Sequence, residues 1–383
     1  MLPSQRALFD IPADVCYLNA ASYSPLPLAV QEAGRTGVGR KGQPWTLDAG
    51  LASRLNERTR RAAAALINAD PEDVALISSV AYGVATAGKL VQVTAGYRVL
   101  VLQDDHSSPV LEWMTRAQAE GFTVETVRQP YDGDWTASVL AAIARPGAPQ
   151  LALASIASVH WSDGGALDLD RIAAALRAKG AGLLVDATHG VGVMKVDVQA
   201  LDPDFLIFPT YKWVLGPYGR AFLYVARRHQ GGTPLEQTGF GRRAISAESV
   251  PYMKDASYTA GARRFDMGER DHFISMEMAA VGMEMMAGWG QAEVEARLSM
   301  LTQRLADGLG NLKDVRLPDP RLRAPHILSL SFPSGMPDGL IERLAAEKIH
   351  VAPRLGRMRI SPHVYNDEDD VDRFVSTFRR LVA

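Results

Sequence analysis

Phe208-Pro209-Thr210-Tyr211-Lys212-Trp213-Val214-Leu215-Gly216-Pro217-Tyr218-Gly219 is the stretch on which the fold is read. It holds one lysine between aromatic and apolar neighbours. A strand-like run, Asp204 to Phe208, precedes it, and another, Ala221 to Ala226, follows. An ammonium held there loses hydration, which lowers its pKa and leaves a nucleophilic amine. A lysine snorkelling from a strand end is the bland alternative. Only eight of the 41 cationic residues are Lys, and no other has an aromatic residue on both sides.

Upstream lies Gly182-Leu183-Leu184-Val185-Asp186-Ala187-Thr188-His189-Gly190. Its first five residues read as a short buried parallel strand ending in an acid. Ligands of open α/β sheets gather at the carboxyl ends of strands. Asp186 and Lys212 are therefore expected at one sheet edge.

Other strand ends carry further candidates. Asp73 to Ser78 reads as a strand, and Ser78-Ser79-Val80-Ala81-Tyr82-Gly83 leads into a helix. Free N–H groups at such a start suit a phosphate, although a Ser N-cap serving only its helix reads the same way. Tyr97 to Gln103 ends in Asp104-Asp105-His106, and Gln150 to Val159 runs into His160-Trp161-Ser162-Asp163. Near the other end of the sequence stands Arg357-Met358-Arg359-Ile360-Ser361-Pro362-His363-Val364-Tyr365-Asn366. Gly37-Val38-Gly39-Arg40-Lys41-Gly42 matches a dinucleotide-binding glycine pattern. No strand precedes it, so it reads as a flexible loop.

The 383 residues exceed one ordinary core and predict two domains. A net charge of −2 gives no footprint for nucleic acid or a membrane surface. The single Cys16 excludes an intramolecular disulfide framework, and no apolar run is long enough to span a membrane. A cytoplasmic enzyme without a metal is the expectation.

The strand-end Asp followed by a strand–Lys–Gly-rich turn resembles fold-type I enzymes that use pyridoxal 5′-phosphate (PLP). The closer resemblance is to the aminotransferase class V group, in its isopenicillin-N-epimerase-like, kynureninase-like and C–S lyase branch. It implies an α/β fold: a mainly parallel seven-stranded sheet with helices on both faces, plus a small α+β C-terminal domain. The implied division is residues 1–20 packing with the small domain, 21–284 the PLP domain and 285–383 the small domain.

The resemblance also assigns roles. Lys212 forms the Schiff base, Asp186 pairs with the pyridinium nitrogen and His106 stacks on the ring. Trp161 packs near the cofactor's O3′ and the substrate, and His189 touches its phenolic oxygen. Ser79 and the backbone of Val80 and Ala81 hold the phosphate, helped by the Tyr211 hydroxyl. Arg359 grips the substrate α-carboxylate with two parallel donors, and the Asn19–Ser22 backbone, with Asn19 and Ala20 foremost, lies beside that carboxylate. Loops with Phe240, Arg242, Arg243, Arg263, Arg264, Glu269 and Arg270 meet the partner's site in an implied homodimer.

The implied activity is C–S (β-)lyase or aminotransferase chemistry on an amino acid or cysteine conjugate. Racemase or epimerase chemistry and a non-catalytic PLP-binding protein are the alternatives. No Cys lies in His350 to Arg354, and Cys16 is far off in sequence, so a cysteine desulfurase is not expected.

Overall fold

A computed structural model describes residues 2–242 and 256–382. Its strands are β1 (Cys16–Tyr17), β2 (Val74–Ile77), β3 (Arg98–Leu102), β4 (Thr123–Val127), β5 (Leu151–Ala157) and β6 (Gly182–Asp186). They continue as β7 (Phe205–Pro209), β8 (Ala221–Val225), β9 (Leu328–Leu330), β10 (Ile349–His350), β11 (Ala352–Arg354) and β12 (Arg357–Ile360).

Seven strands form the main sheet in the order β2-β8-β7-β6-β5-β3-β4. Only β8 runs against its neighbours. The sheet carries Val, Leu and Ile on both sides, and the central strands β6, β7 and β8 are almost wholly buried. Apolar clusters cover both faces, as a parallel sheet requires. The α/β expectation and the seven strands hold.

β9, β11 and β12 make a small antiparallel sheet in the order β11-β12-β9. β1 pairs in parallel with β10, placing Cys16 opposite Ile349. Asn19 then bridges to Ser361. Residues near both ends of the sequence are thereby stitched together.

The loop expected at Gly37 to Gly42 is instead the end of a helix, Leu28–Gly42. Close packing explains it. A Cβ on Gly37 would sit 2.7 Å from the Ile274 backbone, and one on Gly34 would sit 2.9 Å from Met278 Sδ. These glycines let two helices touch, which offsets their poor helix propensity. Met276, Met283 and Met286 of the partner helix, Phe273–Trp289, are core residues. Among the described residues no helix is long and apolar enough to cross a membrane.

Candidate active site

The carboxyl ends of β2, β3, β5, β6 and β7 and the start of β8 open onto one cavity of about 240 Å³. Ser79, Val80, Ala81, His106, Trp161, Asp186, His189, Tyr211 and Lys212 all line it. These are nine of the residues singled out from sequence, drawn from segments up to 133 positions apart (Ser79 to Lys212).

Lys212 leaves β7 at its carboxyl end and is 9% exposed. Burial lowers its pKa most, to about 7. The Arg359 and Arg354 charges add to this lowering, while Asp186 opposes it. Its Nζ lies 3.2 Å from His189 Nε2. The Trp213 indole N–H donates to His189 Nδ1 at 3.0 Å. An indole nitrogen can only donate, so Nδ1 accepts and the ring proton sits on Nε2. That proton points at Lys212, which must accept it as a neutral amine. Burial above all holds His189 well below its ordinary range, and Lys212 adds to this whenever it is protonated, so His189 stays neutral too.

Asp186 ends β6 and is 5% exposed. One oxygen accepts from the Thr188 backbone at 2.9 Å and from the Thr188 hydroxyl. Asp105, not singled out from sequence, also lines the cavity. Its Oδ1 accepts from the His106 N–H at 2.7 Å, and its Oδ2 is buried without a partner. Burial, with repulsion from Asp186, raises it to about 7 against the pull of His160.

At one end of the cavity Ser79 caps the helix Val80–Leu90, its Oγ accepting from Tyr82 at 3.1 Å. Ile77 pairs with Ala221, so the next positions, Ser78 and Arg220, are neighbours in register. Arg220 is 6% exposed and donates to the Ser275 hydroxyl at 2.6 Å. It forms no ion pair among the described residues, and burial lowers it to about 10. Its cation beside a helix start is a phosphate-type site. It went unnoticed in the sequence because only strand register brings it there.

Beyond the Trp161 wall lies a guanidinium cluster built from distant segments. Arg359, expected at the substrate, belongs to it and does not itself line the cavity. The Arg359 guanidinium donates to the Trp161 carbonyl at 2.6 Å and to the Ser22 hydroxyl at 2.9 Å. Arg354 donates to the same hydroxyl at 2.8 Å. The Trp161 indole N–H is tied to the Asp104 carbonyl at 2.7 Å, and the ring stands edge-on to His106, with centroids 6.3 Å apart. Burial first, and so partial exclusion from water, lowers His106.

Several expectations need correction. Ala20 is fully buried, does not line the cavity, and spends its N–H on the Ser361 carbonyl. Asn19 faces inward to accept from Ser22 at 2.8 Å. Ser22 is what reaches the guanidinium groups from this turn. His160 is stacked on Trp135 at 4.7 Å and sits beside Asp163, behind the cavity wall. Arg263 pairs with Glu57 and Glu72, and Arg270 with Asp266, so both hold their loop within the chain. Arg243 lies outside the described residues. Cys16, far away in sequence, lies beside Ile349, but its thiol is buried against the Asp370 carbonyl and burial pushes its pKa up.

The donor set fits the cofactor that the sequence implies. A neutral buried amine suits an aldehyde, a strand-end carboxylate suits a ring nitrogen, and a helix start with a free guanidinium suits a phosphate.

Comparison with known proteins gives three kinds of finding. The model of the family described as aminotransferase class-V matches residues 47–374. A Pyrococcus abyssi protein named "Probable cysteine desulfurase" is 25% identical over 87% of this chain and 84% of its own length. Isopenicillin N epimerase from Amycolatopsis lactamdurans is 26% identical over 96% of this chain and 95% of its own. Among solved structures, the apo cysteine desulfurase of Thermococcus onnurineus NA1 superposes with a TM-score of 0.84 at 21% identity, covering 100% and 99% of the two chains. The exclusion of a cysteine desulfurase is thereby overturned. A thiol missing from one loop is a single residue, set against a likeness that spans 87% of this chain.

Proposed function

The chain belongs to the aminotransferase class-V family, and from that premise we propose that it cleaves a carbon–sulfur bond in cysteine or a cysteine conjugate. Its cofactor is pyridoxal 5′-phosphate. A buried Lys212 amine held by His189, with Asp186 nearby, supports the cofactor chemistry, and the choice of C–S cleavage rests on one observation, the likeness to relatives named cysteine desulfurase.

Bound here, the cofactor supplies an electron sink for the bond broken at the substrate's Cα. Everything else is the work of this chain's side chains. Lys212 holds the cofactor and, when freed, moves the proton at the substrate's Cα. Asp186, pinned by Thr188, keeps the ring nitrogen protonated. His106 and Trp161 wall the ring, and His189 donates toward its phenolic oxygen. Backbone amides of Val80 and Ala81, with Ser79, Tyr211 and Arg220, take the phosphate. Arg359 orients the α-carboxylate. In this reading residues 21–284 form the cofactor domain and residues 285–383 the small one, with residues 1–20 packed on it. Two copies complete each other's sites as a homodimer.

The test offers purified holoenzyme cysteine, S-substituted cysteines and alanine. Pyruvate, ammonia, alanine, released sulfur and keto acid are measured separately. Pyruvate with ammonia, or alanine with released sulfur, supports C–S cleavage. Keto acid without a C–S product overturns it in favour of amino-group transfer. Inversion at Cα alone gives a second reading, epimerisation, which the relative spanning 96% of this chain favours.

A further inference from the structure

Five arginines are nearly inaccessible in the described structure: Arg60, Arg98, Arg220, Arg297 and Arg359. Three of them rest on a carboxylate, Arg60 on Asp266, Arg98 on Glu125 and Arg297 on Glu368. Arg220 and Arg359 form no ion pair among the described residues. Arg220 has the phosphate end of the cavity beside it. Beyond the Trp161 wall two cations stand together on Ser22, for Arg354 likewise forms no ion pair among the described residues.

The hairpin dictates their proximity. Ala352 pairs with Arg359 and Arg354 with Arg357 across β11 and β12. Opposite residues, and residues two apart, share a face. Arg354 and Arg359 therefore point the same way. Leu355 and Gly356, both at positive φ, close the hairpin tightly between them. Ser22 Oγ accepts from both guanidinium groups and donates to Asn19 Oδ1, which leaves it fully used. It aligns the cations without neutralising either. Their mutual repulsion in a half-dry site is uncompensated. Arg359 Nε is buried without a partner. The Arg354 guanidinium lies 5.9 Å from the ring centroid of Trp161, which lines the cavity. Neither cation lines the cavity, but both border it through Trp161, whose carbonyl Arg359 grips, and both charges act on Lys212.

We propose that the site takes amino acids bearing a second acidic group, with Arg354 receiving that group while Arg359 holds the α-carboxylate. This rests on the reading that Arg359 takes the α-carboxylate. One carboxylate balances one guanidinium, and a monoanionic amino acid leaves the other unmatched. A substrate with two acids matches both, and each contact is charge-assisted. Under C–S cleavage, the second acid rides on the departing sulfur fragment.

Calorimetry on the PLP-loaded protein separates this proposal from the reaction assignment. Glutarate and pentanoate have the same chain length and differ by one carboxylate. Glutarate is expected to bind tighter by about tenfold or more. In Arg354→Gln that preference collapses while pentanoate affinity stays within about twofold, and Arg354→Lys retains part of it. Equal affinity of the two acids in the unaltered protein, or no measurable glutarate binding, overturns the proposal. So does an Arg354→Gln variant that weakens both acids alike, the result expected if Arg354 only braces Ser22 or pairs with a second copy of the chain. Turnover is then compared for S-carboxymethylcysteine and S-ethylcysteine. If neither is cleaved while glutarate is still preferred, the C–S reading fails and the dianion site stands.

Discussion

The cavity around Lys212 and the guanidinium cluster beside it, the lysine end and the guanidinium end of the site, are built on different plans. At the lysine end, Asp186 finishes β6 and Lys212 follows the adjacent parallel strand β7, so the sheet brings them together, with Trp213 beside Lys212 packed on His326 and His363. At the guanidinium end, Ser22, Trp161, Arg354 and Arg359 come from three separate parts of the sequence and meet only when the small sheet docks. The first end relies on sheet geometry and burial to keep an amine neutral. The second relies on a hydroxyl to hold like charges side by side. Chemistry is expected to fail sharply when the lysine end is altered. Selectivity and affinity are expected to fail when the guanidinium end is altered.

The largest effect belongs to Lys212→Ala. Losing its proton-transfer role alone is expected to cost about 10²–10⁴-fold in kcat. Borohydride treatment of the unaltered protein should fix PLP on the peptide holding Lys212, and a label on another lysine breaks the assignment. Asp186→Ala is expected to lower kcat by about 10²–10³-fold, the scale for removing one preorganised electrostatic contact. PLP should still bind, as its visible absorbance would show. A variant with undiminished kcat removes Asp186 from the mechanism.

Arg359→Ala tests the other end. It should lower kcat/KM by about 2–4 kcal/mol, mostly through KM, because the contact exists before and during bond breaking. Loss of PLP with unchanged amino-acid affinity would assign Arg359 to the lysine end and erase the contrast. Smaller again, Arg220→Ala is expected to weaken PLP about tenfold, read by equilibrium titration of absorbance. Unchanged affinity would leave the phosphate to the helix start and Tyr211.

The last prediction couples the ends. With Lys212 at about 7, its amine is protonated and unreactive below that pH and free above it. Labelling of the PLP-free protein by an amine reagent, followed on the Lys212 peptide, should rise with a midpoint near 7, while exposed lysines respond near 10. Burial is the larger cause and the Arg359 charge the second, so Arg359→Gln should move the midpoint upward by a modest step. A fixed midpoint would mean that the ends do not sense each other. Stability follows the same sign. The unfolded chain binds this proton more tightly, so folding of the PLP-free protein gains from rising pH between about 7 and 10.4.

What could be read in advance follows the same division. Lys212, Asp186, His106 and the Ser79 turn are strand-end features, and strand ends are marked locally by apolar runs and the residues that stop them. Arg220 was invisible because its place depends on the Ile77–Ala221 register. Asp105 looked like one more loop acid until burial next to Asp186 set it apart. Ser22 is legible only as part of the Asn19–Ser22 turn, and Arg354 has no local signal, since an arginine beside a Leu-Gly turn is ordinary. The Gly37 to Gly42 stretch misled for a related reason: its glycines serve contact with Ile274 and Met278, which no local pattern announces. The missing loop thiol misled because one residue was asked to decide an activity.

The pairing of β1 with β10 has a consequence for how the protein is made. Cys16 reaches its partner only once Ile349 has left the ribosome. At ordinary elongation rates that wait is roughly 15–70 s. All seven strands of the main sheet are complete by Val225, so the sheet that frames the lysine end can form on the growing chain. Throughout that interval β1 has its edge unpaired, and the pocket for the substrate's acid groups does not yet exist. A nascent chain stalled after the sheet would therefore carry Asp186 and Lys212 but lack Ser275, His326 and His363, which brace Arg220 and Trp213 in the finished site.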